Sequence, residues 1–339
     1  LQRVLLSRLV LIRAEVLLRL FLFRMNVADL RTKGWEASVT WGDSFTLASK
    51  PFNYRIMAGI GDNTSKVTKY DNPNRTLTDP YEGQQLGEIW GYVVDGYFKT
   101  DEEARNYKVD QSFVNQMINA SALDNGLHAG DLKFVDLDGN NKIEQTTSAN
   151  DRKDMKVIGN SLPRYNYNFG ISADWYGIDF SVLFQGIGKQ NWYPGAETSM
   201  FWGPYSRPYA SFIPSDFMSQ VWSEENTDAY FPRPRGYVAL GSNRELAVVN
   251  TKYLQNLAYC RLKNLSIGYT LPDKWLSKIG FEKIRVYFSG ENLLTFTKLH
   301  SDYIDPEQAS ASNSWKTSKS DANIYPWAKT YSFGVDITF

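Results

Sequence analysis

The stretch 164–185 carries the most restrictive pattern in the chain. In R-Y-N-Y-N-F-G-I-S-A-D-W, Tyr165, Tyr167, Phe169, Ile171, Ala173 and Trp175 share one parity, while Arg164, Asn166, Asn168, Gly170, Ser172 and Asp174 share the other. After Tyr176-Gly177, Ile178, Phe180, Val182 and Phe184 alternate with Asp179, Ser181 and Gln185. Period-two alternation on both sides of a two-residue turn predicts a β-hairpin. Each strand is roughly ten to twelve residues, nearer the ~9–11 that cross a bilayer at a tilt than the five or six usual in soluble sheets. The end of the chain repeats the pattern. Tyr331, Phe333, Val335, Ile337 and Phe339 alternate with Ser332, Gly334, Asp336 and Thr338. Taken alone, that last strand fits a soluble sheet with its apolar face inward, or a membrane barrel with its apolar face toward lipid.

Composition narrows the function classes. The 339 residues include 37 basic and 37 acidic side chains, so neither a nucleic-acid footprint nor a polybasic membrane patch is expected. Aromatic residues make up 15% of the chain, which suits a membrane interface or a sugar-binding surface. A single cysteine, Cys260, excludes an internal disulfide and a multi-cysteine metal site. His128 and His300 have no neighbours in sequence that suggest a catalytic triad, and no carboxylate pair is marked out for acid–base work, so an enzyme is not expected.

Residues 1–25 differ from all that follows. Nine leucines and arginines at 3, 8, 13, 19 and 24 fit neither an amphipathic helix nor a half-buried strand, and the segment is expected to be non-native sequence. From Asn26 onward the chain reads as one domain, 26–339. Trp35, Ala37, Val39 and Trp41 alternate, as do Phe52, Tyr54, Ile56, Ala58 and Ile60, and G-D-S at 42–44 reads as the turn between them. Loop chemistry is expected at 61–84, a surface helix at 102–119, and a long aromatic loop at 188–256. Strands resume at 259–271 and 284–288, the latter continuing into 292–296, with a short helix at 272–280 between them. The fold class expected is all-β, an antiparallel meander of about eight to ten strands. The alternative is a surface or soluble β-sandwich that binds glycans, for which shorter strands and more frequent turns are expected.

Several phrases together resemble one family, the SusC/RagA-like TonB-linked outer-membrane transporters. They are N-V-A-D-L-R-T-K-G-W-E (26–36), G-E-I-W-G-Y-V-V-D-G-Y-F (87–98), G-D-L-K-F-V-D-L-D-G-N-N-K-I (130–143), D-R through V-I-G-N-S-L-P-R-Y (151–165), R-L-K-N-L-S-I-G-Y-T-L-P (261–272), R-V-Y-F-S-G-E-N-L-L-T-F-T (285–297), D-P-E (305–307) and the terminal Y-S-F-G-V-D-I-T-F. The resemblance implies the C-terminal part of a transmembrane barrel of about 22 strands. It also implies a bacterial outer-membrane location, a SusD-like surface lipoprotein, the TonB energy-coupling complex acting through a plug region, and import of oligosaccharides or peptides. On this reading the apolar parity of the last strand faces lipid.

Two sets of residues are candidates for function. Asp136, Asp138 and Asn140 stand at i, i+2 and i+4, the spacing that points hard oxygens at one Ca2+, with the Lys142 carbonyl as a further donor. The twelfth position of such a loop is Thr147, and the resemblance implies that Asp151, before Arg152, takes the role instead. Trp192, Tyr193, Trp202, Tyr205, Trp222 and Tyr237 are candidates for contact with substrate or partner, since aromatic loops stack on sugar rings.

Overall fold

The computed structural model describes residues 27–114, 126–206, 213–234, 236–241, 244–276, 280–309, 319–320 and 325–339. The expectations for residues 1–25 and for most of the second half of the 102–119 helix lie outside them. Its frame is one sheet of seven strands in chain order, each antiparallel to the next. They are β1 (Ala28–Leu47), β2 (Lys50–Tyr70), β3 (Arg164–Trp175), β4 (Ile178–Lys189), β5 (Tyr259–Thr270), β6 (Lys283–Thr297) and β7 (Thr330–Thr338).

The register carries one parity across every strand. Val335 pairs with Val286, Val286 with Tyr269, Tyr269 with Ile178, Ile178 with Trp175, Trp175 with Phe52, and Phe52 with Phe45. Three residues away along each strand runs a polar row. Ser332, Ser289, Ser266, Ser181 and Ser172 pair in succession and continue through Arg55 to Gly42. Because side chains alternate with period two, the sheet has one apolar and one polar face. The apolar face is bare: Trp41, Ile171, Ile267, Val286 and Phe333 all stand exposed, Phe333 at 84%. A continuous exposed apolar band of this extent is an aggregation surface in water, and hydrocarbon is the solvent that accepts it. This fold is part of an antiparallel transmembrane barrel, open at β1 and β7. No helix among the described residues is long and apolar enough to cross a membrane, and none is needed.

The two ends of the sheet differ. At one end the strands join through tight connections. Ala48-Ser49, with φ of 47° and 63°, and Tyr176-Gly177, with φ of 50° and 84°, both have the left-handed pair of residues that suits the twist of a hairpin. At the other end three long connections, 71–163, 190–258 and 298–329, gather into a cap. Small ladders stitch the cap together: Glu88–Tyr92 with Met155–Asn160, Val94–Tyr97 with Leu132–Phe134, and Asn191–Pro194 with Gln255–Asn256.

Several expected boundaries move. The G-D-S at 42–44 is not the turn, because Phe45 and Leu47 keep the apolar parity and β1 runs on to Leu47. Residues 61–70, read as loop, extend β2. They pair with Ala28–Glu36, and their polar side chains fall on both parities, which hides the strand from a periodicity argument. Of the helix expected at 102–119, the described residues form a single turn, Asp101–Arg105, capped by Thr100 Oγ1 accepting the Glu103 N–H. Among the described residues the long sheet has seven strands rather than eight to ten, and 88–97 forms two short strands of the cap ladders.

The two faces make opposite demands on substitution. Ile171→Arg, on the apolar face between Ile56 and Val182, is expected to cost about 2–4 kcal/mol if its site lies near the bilayer midplane. Ser172→Arg, one residue along but on the polar face, is expected to cost under about 1 kcal/mol by the same logic. Urea titration of heat-modifiable gel migration in membranes measures both, and equal losses would contradict the assignment of faces.

Candidate functional site

The acidic loop lies in the cap, between the short strands Leu132–Phe134 and Met155–Asn160. Gly139 and Asn141 take positive φ, 78° and 61°, which folds the loop back on itself; glycine and asparagine are the residues that do so at least cost. The fold-back lets Asp136 accept two backbone N–H groups, from Gly139 and Asn141, each at 2.7 Å. Asp138 Oδ1 accepts the Asn140 N–H at 3.1 Å, and Asn140 Oδ1 accepts the Lys142 N–H at 2.8 Å. The third carboxylate is Asp154. It is fully buried and accepts N–H groups from Leu137 at 2.9 Å and Glu144 at 2.7 Å.

Oxygens of Asp136, Asp138 and Asp154 lie within 4.8 Å of one another, the one such cluster among the described residues. Burial raises the Asp154 carboxyl above the usual range against the pull of those two N–H groups, and the neighbouring Asp138 and Asp136 charges add to the rise. Burial pushes Asp136 the same way, but the N–H groups of Asn141 and Gly139 hold it below its usual value. Three carboxylates converging with no cation among them is the donor set that a hard, oxygen-seeking divalent ion takes. Asp151, the residue implied by the resemblance, is exposed and sits outside the cluster. Its position three residues before Asp154 puts it in the turn that follows Ser148 instead.

Five of the six aromatic candidates are buried rather than displayed. Trp192, Tyr193 and Trp202 have no exposed area, and Tyr205 and Trp222 have almost none. They form the apolar core of the cap with Phe201, Phe217, Phe231 and Tyr253. Phe201 meets Trp202 edge-on at 4.8 Å, and Phe217 stacks on Phe231 at 4.7 Å. Three of their polar tips are satisfied inside: Trp202 Nε1 donates to Gly195 O, Tyr193 Oη to Leu246 O, and Tyr205 Oη to Pro232 O, whereas the Trp222 indole N–H is buried without an acceptor. Rings packed in this way have no face left for a sugar. Tyr237 opens a 3-10 turn, Tyr237–Leu240, and its side chain lies outside those described. His128 Nδ1 stands 3.6 Å from Asp101, and the His300 ring stacks on Tyr230 at 3.5 Å with Nε2 2.7 Å from Gln220 Oε1.

On the polar face of the sheet an open concavity of about 960 Å3 is floored by Gly59 and Gly61 and edged by Glu36, Asn166, Asn168 and Gln185. Toward the tight turns Arg285 holds Asp179 in a fork, Nε to Oδ1 at 2.8 Å and Nη2 to Oδ2 at 2.6 Å, and reaches Asp336 at 3.2 Å. This fork spans β5, which lies between the two strands. It can do so because β5 has Gly268 there: a Cβ would come within 2.5 Å of Asp179 Oδ1 and 2.6 Å of Arg285 Nε.

Two kinds of known protein share this chain's sequence or its fold. No protein-family model matches it. TonB-dependent receptor P3 of Formosa agariphila is 26% identical over 333 residues, covering 93% of the chain. TonB-dependent receptor P39 of the same organism is 24% identical over 344 residues, again covering 93%. The chain is a relative of the TonB-dependent receptors. It spans 29% and 31% of the length of these two. Among solved structures, the RagAB peptide importer in its open-open state matches with a TM-score of 0.62 at 19% identity, over 94% of this chain and 30% of that one. In the closed-closed state the TM-score is 0.58 at 21% identity, over 93% of this chain and 30% of that one. The sheet thus has the fold of part of that barrel. The relatives are named as receptors.

Sequence reasoning missed Asp154, Arg285 and Gly268. Asp154 lies beyond the spacing of a simple calcium loop. The Arg285 partners stand 106 and 51 residues away, where no local pattern reaches. Trp202→Ala is expected to destabilise the cap by about 3–5 kcal/mol, the range for deleting a buried large aromatic side chain. Near-ultraviolet circular dichroism of the unfolding cap checks this. A loss of ligand affinity in a cap that keeps full stability would restore the contact role.

Proposed function

We propose that the intact protein is an outer-membrane importer in which this sheet is part of the barrel wall. The observation that carries the reading is the single parity held through seven strands, apolar on one face and hydroxyl-rich on the other. Such a wall faces lipid and water at once, and it separates an outer medium from a lumen. A β-sandwich would cover the apolar face with a second sheet about 10 Å away, and none packs there among the described residues. Residues 26–339 are then the barrel portion with its outward loops. TonB-linked energy coupling acts through a plug region, and a SusD-like surface lipoprotein is the partner at the cap.

Oligosaccharides and peptides remain the two cargo classes, and the buried state of the cap aromatics favours peptides. A sugar importer gains most from exposed aromatic platforms, and the rings expected to provide them are in the core. The solved neighbours are described as a peptide importer, which points the same way. Uptake of fluorescent oligopeptides and oligosaccharides by cells carrying the intact protein and its TonB system tests this. Peptide uptake that stops when the proton-motive force is collapsed is the expected result. Uptake of neither class, with the protein folded in the membrane, would overturn the reading.

The acidic loop is the seat of a structural divalent cation, by preference Ca2+. The residues fit the ion: Asp136, Asp138 and Asp154 supply carboxylates, and Asn140 and the Lys142 carbonyl stand in the same turn. Bound there, the ion would offset the mutual repulsion of the three carboxylates and hold the start of the Met155–Asn160 ladder against the loop. Its affinity depends on pH with a definite sign. Asp154 must be ionised to ligate, and its carboxyl is raised, so affinity is expected to fall on acidification before ordinary carboxylates, which titrate at about 3.9–4.3, are protonated. Without the ion the sign reverses. A carboxyl raised in the folded state destabilises the loop at neutral pH, and protonation relieves it. Calorimetric Ca2+ titration of the intact protein at pH 7 and pH 5, with Asp138→Asn as control, measures the effect. Unchanged affinity in the Asp138→Asn variant would exclude the site.

A further inference from the structure

The segment 299–309, which follows β6 into the cap, has two opposed attachments. On one side Leu299, Ile304 and Ala309 are buried in the aromatic core, and Ser301 Oγ donates to Met200 O at 2.8 Å. On the other side Asp305 and Glu307 meet the polar face of β5. There Arg261 is only 2% exposed, although it is a charged residue at the top of a barrel strand. Its Nη2 donates to Asp305 Oδ1 at 2.6 Å, Nη1 to Glu307 Oε2 at 2.8 Å, and Nε to Thr295 Oγ1 on β6 at 3.0 Å. Lys263, two residues on, donates to both Glu307 oxygens at 2.9 and 2.8 Å. Two positive and two negative groups thus close on one another.

The cluster reaches a third part of the chain. Asp305 Oδ2 accepts the N–H of Trp327 at 3.3 Å, and Lys263 Nζ lies 5.6 Å from the Trp327 ring centre. Trp327 stands three residues before β7, so the lead-in to the last strand is held at the same point as the loop. Within the segment Asp305 Oδ1 also accepts the Glu307 N–H at 2.9 Å, which keeps both carboxylates turned to the same side.

The two attachments do different work. Apolar contact is non-directional, so the core side would tolerate a slide of the segment by a residue. The guanidinium fork is planar and fixes both direction and position. Separating the segment from the wall would leave Arg261 buried and unpaired, which is far more unfavourable than leaving an exposed ion pair. We propose that Arg261 is a positioning residue that sets the register of 299–309 against β5. Cap, segment, wall and the lead-in to β7 are thereby one rigid body, and any movement that admits cargo takes place outside it. The fixed register stands or falls apart from the transport reading; only the placement of cargo-admitting movement rests on it.

Hydrogen exchange on the intact protein in membranes gives the first test. Backbone amides of 299–309 are expected to exchange as slowly as those of β5 and β6, although the segment is a loop; exchange as fast as in exposed loops would overturn the proposal. The second test places a thiol at Ser301, with Cys260 and any other exposed cysteine of the intact protein replaced by Ser, and labels whole cells with a membrane-impermeant maleimide. Arg261→Met is expected to raise the labelling rate of Ser301→Cys by about tenfold or more through local opening. Arg261→Lys, which keeps the charge and loses the fork, is expected to fall between. Where Arg261→Met does not reach the membrane, Glu307→Gln is read in the same way. Labelling at the parental rate in a folded variant would mean that the apolar core alone holds the segment, and the proposal would fail.

Discussion

The structure depends on the unbroken antiparallel ladder from β1 to β7. In hydrocarbon a backbone N–H or C=O without a partner costs several kcal/mol, so strands that enter lipid must be paired along their length. Pairing alone would leave the faces undefined. They are defined because each register agrees with the next: Val335, Val286, Tyr269, Ile178, Trp175, Phe52 and Phe45 fall in line. A slip of one residue in any strand would bring its serine or asparagine to lipid and its phenylalanine to water. The one bulge in β5, between Leu262 and Asn264, occurs against both neighbours at once, so the faces stay matched across it.

The cap is stabilised by a different principle. Its connections are too long to be ordered by their own turns, and conformational entropy opposes fixing them. They are ordered because aromatic residues from separate connections meet in one core. Trp202 and Phe231 come from the second connection, Phe134 and Tyr92 from the first, and Leu299 and Ile304 from the third. The hydroxyls that enter this core are satisfied there. Tyr97 Oη donates to Tyr230 O at 2.5 Å and shares a hydrogen bond with Tyr253 Oη at 2.9 Å. Burial raises both phenols well above their ordinary range, so the pair stays neutral and the bond persists at any physiological pH.

What the sequence disclosed follows from the same division. Where one face meets an apolar medium and the other water, alternation is imposed on every residue. The hairpin Arg164–Lys189 and the last strand were therefore legible almost to the residue, turn included. Above the membrane both faces of a strand meet water, the alternation lapses, and residues 61–70 passed for loop. The Gly-Asp-Ser at 42–44 misled for a related reason: turn-forming residues are tolerated on a polar face where Gly42 pairs with Arg55. In the cap, composition announced aromatic rings but not their direction. A Trp in a loop reads alike whether it stacks on a ligand or on Tyr253. Only the coming together of three distant connections decides it. Asp136 and Asp138 were legible because their spacing is local, and Asp154 was not because the fold supplies it.

The polar wall is more neutral than its composition suggests, and under the proposed import function this bears on what can pass along it. Arg285 is closed on Asp179 and Asp336, Arg164 on Asp62 at 2.5 Å, and Arg261 with Lys263 on Asp305 and Glu307. What remains in the large concavity, beside the carboxylate of Glu36, is mostly carboxamide and hydroxyl: Asn166, Asn168, Gln185 and Ser38. Such groups both donate and accept, and each makes a net contribution of only about 0.5–1.5 kcal/mol per hydrogen bond because water competes for it. A wall of strong, unpaired charges would bind a matching cargo and hold it. Passage requires contacts favourable enough to admit a ligand and weak enough to release it. By pairing most of its charges across strands, the sheet keeps its stiffness and presents mainly contacts of the weaker kind on its polar face.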